Sequence, residues 1–266
     1  MAGGPSTVER GTERRQGPPG PPLVRRLGPR RLRVIAISTV AAVLLGAGGV
    51  WVLYGSPWLR VEDVAVSGTD VLTPQQVQDA AQVPLDTPLV SIDTDEIAAR
   101  LERALPRIGE VDVARSWPHG VTVEVTERTP VLLIRHGSGY TEVDGEGVRF
   151  ATVPQPPKGA PLLELSLANS GSTAASLRRF GEDRLVREAV RTAGSLPAGV
   201  LKTTKTVKVR SYDDISLDLT DGRTVDWGSA EKGAAKARTL SALMKAAPDA
   251  RHFDVSVPTA PASSGS

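Results

Sequence analysis

A run of 21 residues without a charge, Val34 to Tyr54, constrains this chain more than any other feature of its sequence. As a helix it would be about 31 Å long, enough to cross the hydrocarbon core of a bilayer, which is about 30 Å thick. Trp51, Tyr54 and Trp58 lie near its carboxyl end, and aromatic side chains favour the membrane–water interface. The run predicts one transmembrane helix over residues 34–54, surrounded by membrane lipid.

The 33 residues before this run carry a topology signal and no folding signal. They contain two glutamates and eight arginines, Arg10, Arg14, Arg15, Arg25, Arg26, Arg30, Arg31 and Arg33. Arginines beside a span hold that end in the cytoplasm, so we expect an internal N-terminus and everything after about Gly55 to lie outside. Residues 1–33 are rich in Gly and Pro and cannot bury enough apolar surface to fold, so they predict a disordered cytoplasmic tail.

Three other interpretations of this region stay open. A cleaved signal peptide would have an apolar core of about 7 to 15 residues that ends at small residues. Ala47-Gly48-Gly49 would suit such cleavage, although the apolar run continues through Leu53. The run could also be a buried core helix, and the arginines could bind nucleic acid. Arginines clustered before an apolar run are more typical of a topology signal.

The composition of the remaining chain fits an exported pair of domains. The chain has no cysteine, which excludes disulfides, thiol nucleophiles and cysteine-based metal sites. The tail carries a charge of +6, so the net charge of +2 leaves −4 for the rest. A mildly acidic surface argues against nucleic-acid binding. About 200 residues suffice for one large or two small cores.

Residues 59–128 have the pattern of a small α+β domain. A loosely alternating strand from Leu59 to Val66 is followed by two helix starts. Thr73 is placed to cap the first helix, with Gln76 completing a capping box, and Asp93 is placed to cap the second.

The second helix of this domain has an apolar face, and two strands of alternating valines follow it. Its apolar residues recur at helical spacing at Ile97, Leu101, Leu105 and Ile108. The strands contain Val111 and Val113, and then Val121, Val123 and Val125. The order β-α-α-β-β predicts two helices packed on one face of a three-stranded sheet.

Three motifs of this region resemble the FtsQ/DivIB family of bacterial cell-division proteins. They are Val66-Ser67-Gly68-Thr69, Arg115-Ser116-Trp117-Pro118 and Glu127-Arg128-Thr129-Pro130-Val131. In this order, directly behind a single anchor, they are specific. The resemblance implies that residues 59–128 form a POTRA domain.

Residues 129–258 predict a β-rich domain with helices, which the resemblance implies is the family's β domain. The pattern gives strands at 131–135, 161–165, 207–209, 215–219 and 225–227, a hairpin at 139–150 with its turn at Asp144-Gly145, helices near 185–196 and 230–247, and a last strand at 251–257. The loop-like stretch 166–180 matches nothing in the family. Residues 259–266 predict a disordered C-terminal tail.

The search for catalytic chemistry finds no convergent set of polar residues. His119, His136 and His252 lie in separate elements, and no metalloprotease, nucleophile-elbow or phosphate-loop motif occurs. Lys232 and Lys236 are expected on a solvated helix face, although Ser–Lys catalysis involving Ser229 stays open. We expect no catalytic residue, no metal, no cofactor and no small-molecule substrate.

The resemblance implies a non-enzymatic scaffold of the division septum, in the cell membrane, that links single-span coiled-coil proteins of the FtsB and FtsL class. Two other classes stay open. One is a membrane-anchored enzyme of the cell envelope, and the other is a transmembrane signalling regulator whose arginine-rich tail binds a cytoplasmic factor. Small α+β and β domains suit a scaffold because their open sheet edges can accept a partner strand.

The last strand is the predicted partner-binding site. It comprises Arg251, His252, Phe253, Asp254, Val255, Ser256 and Val257. Alternation predicts Phe253, Val255 and Val257 on one face and the polar residues on the other. A strand at the end of the folded chain easily lies at a sheet edge, where backbone donors and acceptors are free. The alternative is that this strand is paired on both sides inside the sheet.

Overall fold

The structure is a computed structural model that describes residues 29–165 and 181–265. The disordered tail predicted before residue 29 and the loop predicted at 166–180 lie outside the described residues. An N-terminal helix, α1, runs from Pro29 to Gly55, and all of its described side chains from Arg30 to Tyr54 are exposed. In the described part of the chain, α1 is the one helix long and apolar enough to cross a membrane.

Helix α1 begins five residues before the predicted span. Arg30, Arg31 and Arg33 were expected in the disordered tail, and the structure places them in the first turns of the helix. Arginine is a good helix former, and Pro29 suits the first helical position, so no local signal stops the helix at Val34.

The first domain has the predicted order of elements. These are β1 (Asp63–Ser67), α2 (Pro74–Ala81), α3 (Thr94–Ala104), β2 (Ile108–Ser116) and β3 (Gly120–Glu127). The sheet order is β1-β3-β2, with β1 parallel and β2 antiparallel to β3. The predicted α+β architecture of this domain is therefore confirmed.

The two helix caps of this domain form as predicted. The Thr73 hydroxyl accepts from the Gln76 N–H at 3.2 Å, and the Gln76 side chain accepts from the Thr73 N–H at 2.9 Å. Asp93 accepts from the Glu96 N–H at 3.0 Å. The predicted apolar face was too long, because α3 ends at Ala104 and Ile108 belongs to β2.

Ile97 and Leu101 are buried in one core cluster with Val121, Val123 and Val125, as the helical and strand patterns predicted. Leu105 is half-buried against the same cluster. The alternating valines of β3 thus face the helices, while the residues between them face away.

The second domain is a mixed sheet with helices, as the pattern predicted. Its strands are β4 (Leu132–His136), β5 (Gly139–Val143), β6 (Arg149–Val153), β7 (Leu162–Leu165), β8 (Thr204–Ser211), β9 (Asp214–Leu219), β10 (Thr224–Gly228), β11 (His252–Asp254) and β12 (Ala262–Ser264), and its helices are α4 (Glu182–Ser195), α5 (Ala198–Thr203) and α6 (Gly233–Ala246). The sheet order among the described residues is β12-β11-β10-β9-β8-β7-β4-β5-β6. Helix α4 packs on β8, and α6 packs on β11.

Strand β12 corrects the prediction of a disordered tail at 259–266. Ala262–Ser264 pairs antiparallel with β11. The chain turns back after β11, with the Ala260 N–H donating to the Val257 carbonyl at 3.0 Å. A low-propensity Ala-Ser-Ser segment becomes a strand here because the edge of β11 offers backbone groups for pairing.

The joint between the two domains is built from the Glu127-Arg128 motif. One oxygen of Glu127 accepts the N–H groups of residues 70, 71 and 72 at 2.8–3.0 Å, which fixes the loop after β1. Arg128 forms an ion pair with Asp144 of the second domain. A second ion pair crosses the joint at 2.5 Å, between Arg107 and Glu142.

The carboxylates of these ion pairs are buried. Burial is the largest influence on the pKa of Asp144 and raises it, but the N–H groups of Val148 and Glu146 and the Arg128 guanidinium outweigh burial. The pKa of Asp144 therefore lies below its ordinary value of 3.8. The same carboxylate fixes the β5–β6 turn and ties it to the first domain.

Candidate partner-binding site

The structure places the predicted partner strand next to the edge of the large sheet. Only His252–Asp254 of the seven predicted residues form strand β11. On one side β11 runs parallel to β10, and on the other side it pairs antiparallel with β12. The outer backbone groups of β11 are therefore occupied in this structure by the last residues of the chain itself.

Phe253 and Val255 anchor the predicted site in the core. Both side chains are fully buried, in a cluster that includes Trp227 and Leu240. Val257 was predicted on the same face, but its side chain is 54% exposed. The strand ends at Asp254, so the alternation no longer applies at Val257. Val257 is therefore an apolar side chain presented to the outside beside the edge.

The polar side chains of the site hold the end of β11 in place. One ring nitrogen of His252, Nδ1, lies 2.9 Å from the Thr224 hydroxyl. Asp254 Oδ1 accepts from the Ser256 N–H at 2.9 Å. The hydrogen bond from the Ser256 side chain is the largest influence on Asp254 and, with that N–H, holds its pKa below the ordinary value.

Lys236 of α6 is buried against the end of β10, a contact that the sequence did not predict. Its side chain is buried, and Nζ donates to the carbonyls of Trp227 and Ser229 at 2.8 Å each. Burial lowers its pKa. The expected solvated face is thus wrong for Lys236. The signal was its position four residues before Leu240, which places both on one face of α6.

Strand β12 is held to β11 by its backbone. Its register pairs His252 with Ser264, Phe253 with Ser263 and Asp254 with Ala262. The Arg251 N–H donates to the Gly265 carbonyl at 2.8 Å. All three side chains of β12 are exposed. No sequence pattern predicts this strand, because its Ala and Ser residues have no apolar alternation.

The outer backbone groups of β11 pair with β12, and the described residues place no metal cluster beside them. Within residues 29–165 and 181–265, no group of three or more His, Asp or Glu side chains is arranged to hold a metal ion. The contact made with Ser229 involves its main-chain carbonyl, which accepts from Lys236. The site therefore consists of β11 paired with β12, the exposed side chain of Val257 beside them, and the buried side chains of Phe253 and Val255.

Comparison with known proteins identifies the family. The model of the POTRA domain, FtsQ-type, matches residues 59–128. A cell division protein FtsQ from Streptomyces coelicolor is 66% identical over 263 residues, which cover 99% of both chains. One from Streptomyces venezuelae is 53% identical over 279 residues and covers both chains completely.

More distant proteins extend this comparison. A cell division protein FtsQ from Mycobacterium leprae is 31% identical over 84% of this chain and 61% of its own length. The extracytoplasmic domain of the cell division protein DivIB from Geobacillus stearothermophilus matches with a TM-score of 0.32 and 18% identity, covering 46% of this chain and 94% of that domain. The relatives that match along their full length decide the assignment, and the chain belongs to the FtsQ family of bacterial cell-division proteins.

Proposed function

We propose that this chain is a non-enzymatic scaffold of the division septum. It is anchored in the cell membrane by α1 and links single-span proteins of the FtsB and FtsL class through Arg251–Val257. Family membership supports a role in the division machinery. The exposed apolar helix near the N-terminus supports anchoring in a membrane.

The proposed topology places the N-terminus in the cytoplasm and both domains outside. The arginines before and within the start of α1 are its basis, because positive charge beside a span is retained in the cytoplasm. A reporter that is active only outside the cytoplasm should work when it is fused after Ser266. Activity of a cytoplasmic reporter at the same position would contradict the proposal.

The main support for the partner site is the structure of the C-terminal edge of the large sheet. Its last core-anchored strand, β11, is covered on the outside by a strand of three residues whose side chains are all exposed. A partner strand that paired with β11 would gain main-chain hydrogen bonds for affinity. Val257, exposed next to that edge, would add an apolar contact that selects the partner.

Crosslinking in cells tests the site. A photoreactive residue at His252 or Val257 of the full chain should capture an FtsB- or FtsL-class protein. The matched control is Val71, a 63% exposed valine of the first domain, where we expect no such product. Equal capture from Val71, or capture from Val71 alone, would place the partner elsewhere.

A substitution gives an independent measurement. Val257→Asp should weaken capture of the FtsB-class protein while thermal unfolding of the full chain stays unchanged, because the side chain is mostly exposed. Val71→Asp introduces the same charge on the other domain and should leave capture intact. Undiminished capture by the Val257 variant would contradict the proposed site.

A further inference from the structure

We infer that the C-terminal segment 259–265 is an internal competitor for the partner site: it folds back as β12 and must leave before a partner strand can pair with β11. This inference rests on the proposed function, because it concerns the regulation of the same edge. It adds that the unbound protein closes its own binding site.

The pairing geometry makes the two strands mutually exclusive. Strand β12 occupies the outer side of β11, opposite β10. The Arg251 N–H donates to Gly265 and also lies 3.2 Å from the Ser264 carbonyl. A strand has one outer row of backbone donors and acceptors, so β12 and a partner strand cannot use it together.

Strand β12 is bound to β11 weakly, because it contributes backbone hydrogen bonds and no buried side chain. Its side chains are Ala262, Ser263 and Ser264, all exposed, so its removal uncovers no apolar surface of its own. In the turn before β12, the Thr239 hydroxyl donates a hydrogen bond of 3.2 Å to the Pro258 carbonyl. Phe253 and Val255 remain buried in the core and keep β11 in place when β12 leaves.

The strand at the opposite edge of the same sheet, β6, is attached by a buried side chain as well as by its backbone. Strand β6 spans five residues, Arg149–Val153, and buries Phe150, whose ring lies 5.2 Å from the Arg107 guanidinium carbon. Removing β6 would therefore open the core, whereas removing β12 would not. Of the two edges, the one that carries the proposed site is the one closed by a releasable strand.

The absence of cysteine permits a direct test by a reversible crosslink. His252 and Ser264 face each other in the register of β11 and β12. Residues that face each other in antiparallel strands have Cα atoms about 4.5–5.5 Å apart, within the range that a disulfide spans. The full chain carrying His252→Cys and Ser264→Cys should form this disulfide on oxidation and lock β12 on the edge.

The probe is the purified FtsB-class protein of the same cell, added to the full chain in detergent or nanodiscs. The oxidised double variant should lose capture, and reduction should restore it. Each single cysteine variant, treated in the same way, is the control and should bind as well oxidised as reduced. Removing residues 259–266 should raise affinity about three- to tenfold, because a few backbone hydrogen bonds contribute modestly. Tryptophan fluorescence, to which the buried Trp227 contributes, reports whether each variant is folded.

The outcomes separate the two proposals. If Val257→Asp weakens capture but neither the locked disulfide nor the deletion changes it, the partner site stands and self-closure is wrong. If the lock, the deletion and Val257→Asp all leave capture unchanged, the partner binds elsewhere and both proposals fall. A deletion that lowers affinity in a folded protein would overturn self-closure by making β12 part of the binding surface.

Discussion

The second domain has two boundary contacts that differ in kind: one is made by ion pairs and the other by backbone hydrogen bonds. At the joint to the first domain, Arg107 and Arg128 form ion pairs with the buried carboxylates of Glu142 and Asp144. At the C-terminal edge, β12 adds backbone pairing and exposed side chains. Separating the joint would leave buried charges without partners, which is costly. Separating β12 returns its backbone groups to water.

The molecule should therefore rearrange more easily at the C-terminal edge than at the joint. Buried, partnered charges fix the first domain against the second, because Glu142 and Asp144 would each lose an arginine partner if the joint opened. A three-residue strand without a buried side chain depends on little besides its own hydrogen bonds. The joint is therefore expected to be a constant feature of the protein, and the edge an exchangeable one.

The largest expected effect tests whether β11 is anchored independently of β12. Phe253→Ala should lower the free energy of unfolding by about 3–5 kcal/mol, as loss of a buried aromatic side chain does. Urea unfolding of the full chain, followed by tryptophan fluorescence, measures it. Ser263→Ala, at the position opposite Phe253 in β12, is the control and should change little. A small effect of Phe253→Ala would mean that the edge is loose as a whole.

The next prediction concerns the joint. Arg128→Ala leaves Asp144 buried without its cation and should lower stability by about 2–4 kcal/mol, somewhat less than a fully buried pair because Arg128 is partly exposed. Arg210→Ala is the matched control, since both side chains of its pair with Asp214 are about half exposed and such a surface pair contributes about 0.2–1 kcal/mol. Urea unfolding compares the two variants. Equal losses of unfolding free energy in the two variants would show that the ion pair at the joint contributes no more than one on the surface.

The pH dependence of the joint should follow Asp144. Its pKa is lowered on folding, so its charge stabilises the folded state above the ordinary value of 3.8, and that contribution is lost as the pH falls through the lower folded pKa. Asp144→Asn should be less stable by about 1–2 kcal/mol at pH 6, and the difference should shrink below about pH 4. Urea unfolding at pH 6 and pH 3 checks this. A difference that is constant with pH would exclude Asp144 as its source.

The smallest expected effect is at the C-terminal edge. Removing residues 259–266 should lower the stability of the full chain by less than about 1 kcal/mol, because β12 contributes backbone hydrogen bonds and no buried side chain. Urea unfolding measured by tryptophan fluorescence gives the value. A loss as large as that of Arg128→Ala would show that β12 belongs to the permanent sheet.

Local patterns predicted much of this fold. The apolar run of α1 is visible in the sequence because a helix long enough to span a bilayer needs about 20 apolar residues in succession. The caps at Thr73 and Asp93 were predicted because each uses groups only three residues apart. The valines of β3 were assigned to the core because alternation marks one face of a strand. In each case the interacting groups are neighbours in the chain.

The partner site was predicted only in part. The sequence located a last strand at Arg251–Val257 and the alternation that buries Phe253 and Val255. It could not show that β11 has a neighbour on its outer side, since the pairing of Ala262–Ser264 uses backbone groups and leaves no apolar pattern. Strand pairing of this kind is decided by which edge the returning chain reaches.

Tertiary structure alone decided the surroundings of the charged residues. Lys236 is buried because α6 packs its face against β10 and β11, where two carbonyls accept from Nζ. Arg128 and Asp144 each lie in a recognisable motif, but nothing local pairs them. Local sequence predicted most of the helices and strands, because capping groups and apolar periodicity are properties of short segments. The tertiary structure determined the joint and the closed edge, because both join residues that only folding brings together.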